Sequence, residues 1–121
     1  MNYMERPKTL KGVTERIETG CGHIYITVNF LNSKIIEVFA TLGKNGGCSM
    51  SYATALTKSI TVGLRSGTDV SRYIKILKEI RCNNTTYFEG KQILSCSDAI
   101  AIILEKYIKE EAQQEALPLD E

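Results

Sequence analysis

The sequence lacks several features that would assign it to a familiar class of protein. It contains no tryptophan, two prolines and a single histidine among 121 residues. One imidazole leaves little scope for a catalytic triad or a histidine-rich metal site. No apolar run approaches the ~20 residues that a membrane-spanning helix needs, and the polar N-terminus lacks the apolar stretch of a signal peptide. We therefore expect a soluble cytoplasmic protein without a membrane partner.

An excess of charge of one sign is also missing. Fifteen basic residues oppose fourteen acidic residues, which gives a formal net charge of +1. Proteins that coat nucleic acids nonspecifically carry a clear basic excess, so we expect no such partner. The hydrophobic fraction of 43% suffices for one buried core, and a domain of this size leaves much surface for contacts between copies. We therefore expect a single domain over residues 1–121 that forms a homo-oligomer.

The first part of the chain has the pattern of β-strands. Residues 13–19 alternate apolar and polar side chains, and residues 23–30 are rich in β-branched and aromatic side chains. Residues 35–41 follow a turn at Asn32 and Ser33 and have the composition of a return strand. These segments predict an antiparallel meander of about three strands.

The second part of the chain has helical periodicity. Apolar side chains recur at helical spacing in residues 49–66 and in residues 70–81, and a third helix is expected to begin near Ser97. A loop before this helix has room for a short strand or hairpin around residues 86–88. Strands followed by helices favour an α+β fold, an antiparallel sheet of about three strands with three helices packed on one face.

The two ends of the chain are polar and carry few core-type side chains. We expect an extended arm over residues 1–10, because Pro7 disfavours helix at Arg6. We expect residues 109–121 to form a frayed polar tail, because this segment is rich in Glu and Gln and contains Pro118.

Four cysteines stand at the predicted ends of elements, beside glycine, asparagine or serine: Cys21, Cys48, Cys82 and Cys96. Thiolates suit zinc or an iron–sulfur cluster, yet no two of these cysteines form the close pair typical of structural zinc sites. Three interpretations stay open, namely metal ligands, packed reduced thiols and redox-active thiols. For the last, Cys48 and Cys96 are favoured because a helix N-terminus lowers a thiol pKa.

A glycine-containing loop joins the third predicted strand to the first helix. Lys44, Asn45, Gly46, Gly47 and Ser49 supply a point charge, flexible backbone and a hydroxyl at a helix N-terminus, a combination able to bind phosphate. The spacing of a Walker A motif is absent. The alternative is a strand-to-helix turn whose glycines provide positive φ angles.

A second loop, residues 83–91, combines aromatic and amide side chains. Tyr87 and Phe88 lie close to two asparagines and to Lys91, and exposed aromatic rings beside amides are suited to stacking on a nucleobase. The alternative for Phe88 is packing over the sheet. We treat both aromatic residues as candidate ligand-binding residues.

Six motifs, in this order, resemble those of the TSCPD domain. They are RPKTLKG (6–12), TGCG (19–22), VFATLGKNGGC (38–48), LRSGTD (64–69), IRC (80–82) and SCSDAIA (95–101). The resemblance runs from residue 6 to residue 108. It departs from the family at the namesake motif, where Ser97 stands in place of proline; proline is favourable but replaceable at the first position of a helix.

The resemblance implies a set of functional expectations. TSCPD domains form the C-terminal region of adenosylcobalamin-dependent ribonucleotide reductases and also occur as small four-cysteine proteins. The four cysteines here coincide with those of the family, which implies a metal site, with zinc as the candidate ion. The reductase chemistry belongs to a large barrel domain that this sequence does not contain, so we expect no enzymatic activity.

Two functions are therefore expected from the sequence. The first is a non-catalytic accessory module that binds a nucleotide or a metal ion or docks onto a reductase-like partner. The alternative is a phage-type sponge protein that sequesters cyclic nucleotide or ADP-ribose immune signals in a homo-oligomer.

Overall fold

The computed structural model of the chain describes residues 3–43 and 48–116, with side chains through Lys109. Three long strands are followed by two helices, a short hairpin and a last helix, which confirms the predicted α+β fold. In chain order the elements are β1 (Lys11–Thr19), β2 (Gly22–Leu31), β3 (Lys34–Leu42), α1 (Cys48–Arg65), α2 (Val70–Leu77), β4 (Thr86–Phe88), β5 (Lys91–Ile93) and α3 (Cys96–Ala116).

The three long strands form one antiparallel sheet in the order β1-β2-β3. Alternation along the central strand β2 directs Ile24, Ile26 and Val28 to one face, where each is fully buried. The opposite face, which we call the outer face, carries the partly exposed rings of Tyr25 and Phe39. The sheet therefore has one face in the core and one face that is more accessible to solvent.

Two helices cover the core face and one edge of this sheet. The α1 helix lies along β3, where the Thr61 hydroxyl donates to the Val38 carbonyl at 3.0 Å and accepts from the Val38 N–H at 3.1 Å. These bonds satisfy backbone groups on a strand edge that would otherwise be free to pair. The α3 helix contributes Ile100 and Leu104, both fully buried, to the core.

The α2 helix is shorter than the helix predicted over residues 70–81. Asp69 caps its start by accepting from the Ser71 N–H at 2.9 Å. It ends at Leu77, because Lys78 is extended and Glu79 adopts a positive φ of 67°. The apolar periodicity therefore continues in the sequence beyond the point at which the backbone leaves the helix.

The α3 helix begins at Cys96 and continues to Ala116, so it extends past residue 109, where we expected a polar tail to begin. Residues 86–88 pair with β5 as the predicted short hairpin. Within the part of the chain that the structure describes, no helix is both long and apolar enough to cross a membrane.

The N-terminal arm contacts the domain at two points. The Arg6 Nε atom donates to Glu37 Oε2 at 2.7 Å, and the other carboxylate oxygen of Glu37 accepts from Asn29 at 2.8 Å. Near the end of α1, the Met4 N–H donates to the Arg65 carbonyl at 2.8 Å, and the Arg65 guanidinium lies over the Tyr3 ring. The arm is therefore fixed to the outer face of the sheet and to the end of α1.

Candidate functional site

Three of the four cysteines line one cavity of about 230 Å³. Cys21 comes from the turn between β1 and β2, Cys82 from the segment between α2 and β4, and Cys96 from the first position of α3. Apolar side chains of α1 and α3, among them Leu56 and Ile100, form much of the remaining wall. Three chain segments that are distant in sequence thus bring their thiols to one place.

The Thr19 hydroxyl connects the turn that carries Cys21 to the start of α3. It accepts from the Cys21 N–H at 3.1 Å and donates to the Gly22 carbonyl at 2.8 Å. The same oxygen lies 3.8 Å from the Cys96 sulfur, as a hydrogen-bond partner. Thr19 is buried, so this link is shielded from competing water and holds Cys21 near Cys96.

Gly20 allows the turn to approach the segment that carries Cys82. A Cβ atom at this position would lie 1.8 Å from the Asn84 carbonyl oxygen and 2.3 Å from its carbon, which are backbone atoms and cannot rotate away. Asn84 in turn contacts Cys82, since its N–H donates to the Cys82 sulfur at 3.4 Å. The TGCG motif predicts a turn, but nothing local in the sequence predicts this contact.

Asp98 holds the segment around Cys82 against the start of α3. Its carboxylate is buried and accepts two backbone bonds, from the Glu79 N–H at 2.9 Å and from the Leu94 N–H at 3.1 Å. The Cys82 N–H donates to the Leu94 carbonyl at 3.0 Å. In the sequence, Asp98 is only an acidic residue in the first turn of a predicted helix, whereas in the structure it positions the site.

Ser95 completes this arrangement at the start of α3. Its hydroxyl accepts from the Asp98 N–H at 3.0 Å and donates to the Ile80 carbonyl. A serine three positions before an acidic residue is a helix-start signal that the sequence contains. The tie to Ile80 is a tertiary contact, and it fixes the chain two residues before Cys82.

The Cys96 thiol has an unfavourable environment for ionisation. Burial raises its pKa, and the neighbouring Cys21 and Cys82 raise it further, although the hydrogen bond with Thr19 acts in the opposite direction. The helix N-terminus had suggested a reactive thiol at this position. The structure instead favours the protonated thiol at Cys96. A nearby cation or a covalent bond to the sulfur would be needed to change this preference.

Cys48 differs from the other three cysteines. It is exposed at the first position of α1 and does not line the cavity, whereas its neighbour Ser49 does. All four cysteines are free thiols. Among residues 3–43 and 48–109, no group of three or more Cys, His, Asp or Glu side chains is already arranged to hold a metal ion. The thiols fit a soft ion by chemical type, and binding one requires them to draw closer.

The other predicted ligand-binding residues separate in the structure. Lys44, Asn45, Gly46 and Gly47 lie outside the described residues. Tyr87 is 71% exposed on β4. The adjacent residue of this hairpin, Phe88, is partly buried and packs against the core, as in the alternative interpretation.

His23 contacts two charged side chains of the sheet. Its Nδ1 atom is 2.5 Å from Glu18 Oε1, and the Arg16 guanidinium lies 3.0 Å from its Nε2 atom. These three side chains lie on β1 and β2, and none of them lines the cysteine cavity. The one imidazole of the chain is therefore engaged with a carboxylate and a guanidinium and is not part of the cavity wall.

The fold and the site define a small α+β domain in which three of the four cysteines converge from separate chain segments. The family model of the TSCPD domain matches residues 1–108, nearly the whole chain. The chain therefore belongs to the TSCPD domain family. No curated protein and no solved structure gives a significant match.

Proposed function

We propose that this protein is a non-catalytic accessory module, related to the C-terminal domain of the reductases, that binds a metal ion at the cysteine-lined cavity. The observation that carries the proposal is the convergence of Cys21, Cys82 and Cys96 on one cavity. Zinc is the ion we favour, because it is soft enough for thiolates and has no redox chemistry of its own.

The four cysteines are the candidate ligands of such a site. Cys21, Cys82 and Cys96 would supply thiolates, and Cys48 is the candidate fourth ligand because its neighbour Ser49 lines the cavity. A bound zinc ion would connect the β1–β2 turn, the segment before β4 and the start of α3. Its charge would also favour the deprotonated form of Cys96, whose pKa is raised by burial in the free protein.

Removal of a single thiol should reveal the ligands. We expect protein purified with reductant and without chelator to carry one zinc ion per chain in native mass spectrometry. We expect Cys21→Ser, Cys82→Ser and Cys96→Ser each to weaken zinc binding by at least about tenfold. Substitution of residues that only hydrogen-bond to metal ligands already lowers metal affinity by about that factor. Competition with a coloured chelator measures the affinity.

Cys48→Ser is the informative comparison in this series. A loss equal to that of the other three variants identifies a four-thiolate site, whereas unchanged affinity identifies a three-thiolate site with an open position. Metal-free protein that takes up no zinc on titration would contradict the proposal.

Nucleotide sequestration is the second candidate function, and the exposure of Tyr87 favours it. A tyrosine residue that is 71% exposed on a hairpin offers a ring on which a nucleobase can stack. The binding partner in this case is a cyclic nucleotide or an ADP-ribose derivative, taken up without being transformed.

A thermal-shift series tests this second candidate. Mononucleotides, cyclic dinucleotides, cyclic trinucleotides and cyclic ADP-ribose are supplied at increasing concentration. A ligand at ~100 times its Kd adds about 2.7 kcal/mol to the free energy of unfolding. We expect Tyr87→Ala to reduce this shift and Tyr87→Phe to retain it, because stacking requires the ring and not the hydroxyl. No shift with any of these ligands would eliminate the candidate.

A further inference from the structure

Two thiols of the cavity, Cys21 and Cys96, are linked through Thr19. The Thr19 hydroxyl oxygen accepts from the Cys21 N–H at 3.1 Å and lies 3.8 Å from the Cys96 sulfur, and both thiols line the same cavity. Both cysteines are free thiols, Cys21 exposed and Cys96 half-buried. The pair therefore consists of an accessible sulfur beside a shielded one.

We propose that Cys21 and Cys96 form a reversible disulfide when the protein meets a peroxide. The bond requires the two sulfur atoms, which line the same cavity, to approach to about 2.05 Å. Cys21 lies in a turn, where a small backbone adjustment is possible, and Cys96 lies at the first position of α3.

The chemistry proceeds in two balanced steps. First, the Cys21 thiolate attacks one oxygen of the peroxide; an S–O bond forms, the O–O bond breaks, and the released hydroxide takes up a proton to become water. Then the Cys96 sulfur attacks the Cys21 sulfenic acid; the S–S bond forms, the S–O bond breaks, and the oxygen leaves as a second water with the Cys96 proton. The two thiols lose two electrons, which reduce one peroxide to two waters.

The assignment of roles follows from accessibility. Cys21 is exposed and can react with the oxidant. Cys96 is half-buried in the same cavity and would act as the resolving thiol, which attacks the oxidised Cys21. Cys82 is a weaker partner because its sulfur donates to the Asn84 carbonyl at 3.4 Å and accepts from the Asn84 N–H at 3.4 Å. Cys48 is exposed and outside the cavity.

The disulfide does not depend on the proposed metal site, but it affects that site. It uses two of the three thiols that line the cavity, so a chain with this bond cannot offer them to a metal ion. Oxidation and metal binding therefore exclude each other at the same residues. A loaded metal would protect the thiols, and a peroxide would prevent loading.

The test uses the full chain, stripped of metal with a chelator and then desalted. Hydrogen peroxide is added, the remaining thiols are alkylated, and intact mass and proteolytic peptides are analysed. We expect the oxidised chain to carry two alkyl groups where the reduced chain carries four, and one linked peptide pair to contain Cys21 and Cys96, both reversed by dithiothreitol before alkylation. Cys48→Ser should oxidise at the same rate and give the same link.

The wild-type peptide map decides the outcome whether or not every variant folds. A link through Cys82, crosslinked dimers through Cys48, or sulfinic acid at Cys21 without any link would each overturn the proposal. In Gly20→Ala the displaced turn should slow formation of the link severalfold, and an unchanged rate would contradict the geometry. Because the map is made on metal-free protein, a failed zinc titration leaves its result intact, and a missing disulfide leaves the titration intact.

Discussion

Asp98→Ala is expected to lower the free energy of unfolding by about 3–5 kcal/mol. The carboxylate is buried and accepts two backbone bonds, from Glu79 and Leu94. A hydrogen bond to a charged group contributes roughly 1.5–3 kcal/mol, and an N–H left without its acceptor keeps the full cost of desolvation. Since small domains have a total stability of about 5–15 kcal/mol, this single change should remove a large part of it. Urea unfolding followed by circular dichroism measures the effect.

Asp69→Ala is the matched control for this prediction. Asp69 is also an aspartate at a helix start, but it is exposed and accepts one bond, from Ser71 at 2.9 Å. Loss of such a cap costs about 1 kcal/mol. If Asp98→Ala proves no more destabilising than Asp69→Ala, Asp98 is an ordinary helix-start residue and does not connect the segments around the site.

The position of Asp98 links stability to the cysteine cavity. Its two bonds fix the backbone before Cys82 and before Cys96, so the same contacts that stabilise the fold also set the separation of those thiols. Thr19 has the corresponding role for Cys21. The site therefore depends on buried polar groups that touch no ligand themselves.

Much of the fold could be predicted from local patterns. The alternation around Ile24 and Ile26 in β2 and the helical spacing of Ile60 and Leu64 in α1 report which side of an element is buried, and the structure agrees. Each of the four cysteines also lies at the end of an element or between elements, as the neighbouring glycine, asparagine and serine residues indicate. Local signals of this kind depend only on a few adjacent residues.

The grouping of the cysteines could not be predicted in this way. Whether Cys21 meets Cys96 or Cys48 depends on tertiary contacts such as the approach of Gly20 to Asn84, which has no local signature. The early end of α2 has a similar cause. The Glu79 N–H finds its acceptor on Asp98, and this distant acceptor compensates for a backbone that has left the helix. Hydrophobic periodicity indicates which face of a segment is buried. It does not indicate the distant hydrogen-bond acceptor that allows a helix to end early.

The buried charge on β3 leads to a second large expected effect. Glu37 is on the outer face by strand alternation, yet it is only 2% exposed, because Arg6 of the N-terminal arm and Asn29 of β2 cover its carboxylate. Alternation alone predicts a solvated glutamate at this position. The arm therefore changes the environment of a residue in the sheet, and the sequence shows no local sign of it.

Arg6→Ala should lower the free energy of unfolding by about 2 kcal/mol. Removing one partner of a fully buried ion pair costs about 3–5 kcal/mol, and the 41% exposure of Arg6 reduces that figure through solvent screening. Arg16→Ala is the control, because its partner Glu18 is itself 37% exposed and such pairs contribute at most about 1 kcal/mol. Thermal and urea unfolding of the three proteins give the comparison.

The double variant separates the two physical causes of this effect. If the loss in Arg6→Ala comes from a buried carboxylate without its cation, Arg6→Ala combined with Glu37→Gln should be more stable than Arg6→Ala alone, because the second change removes the charge and the amide can still bond to Asn29. If the loss comes from the packing of the arm, the second change should add to the first. Additive losses of stability would mean that packing contacts hold the arm on the sheet. A double variant more stable than Arg6→Ala would mean that the ion pair with the buried Glu37 charge holds it there.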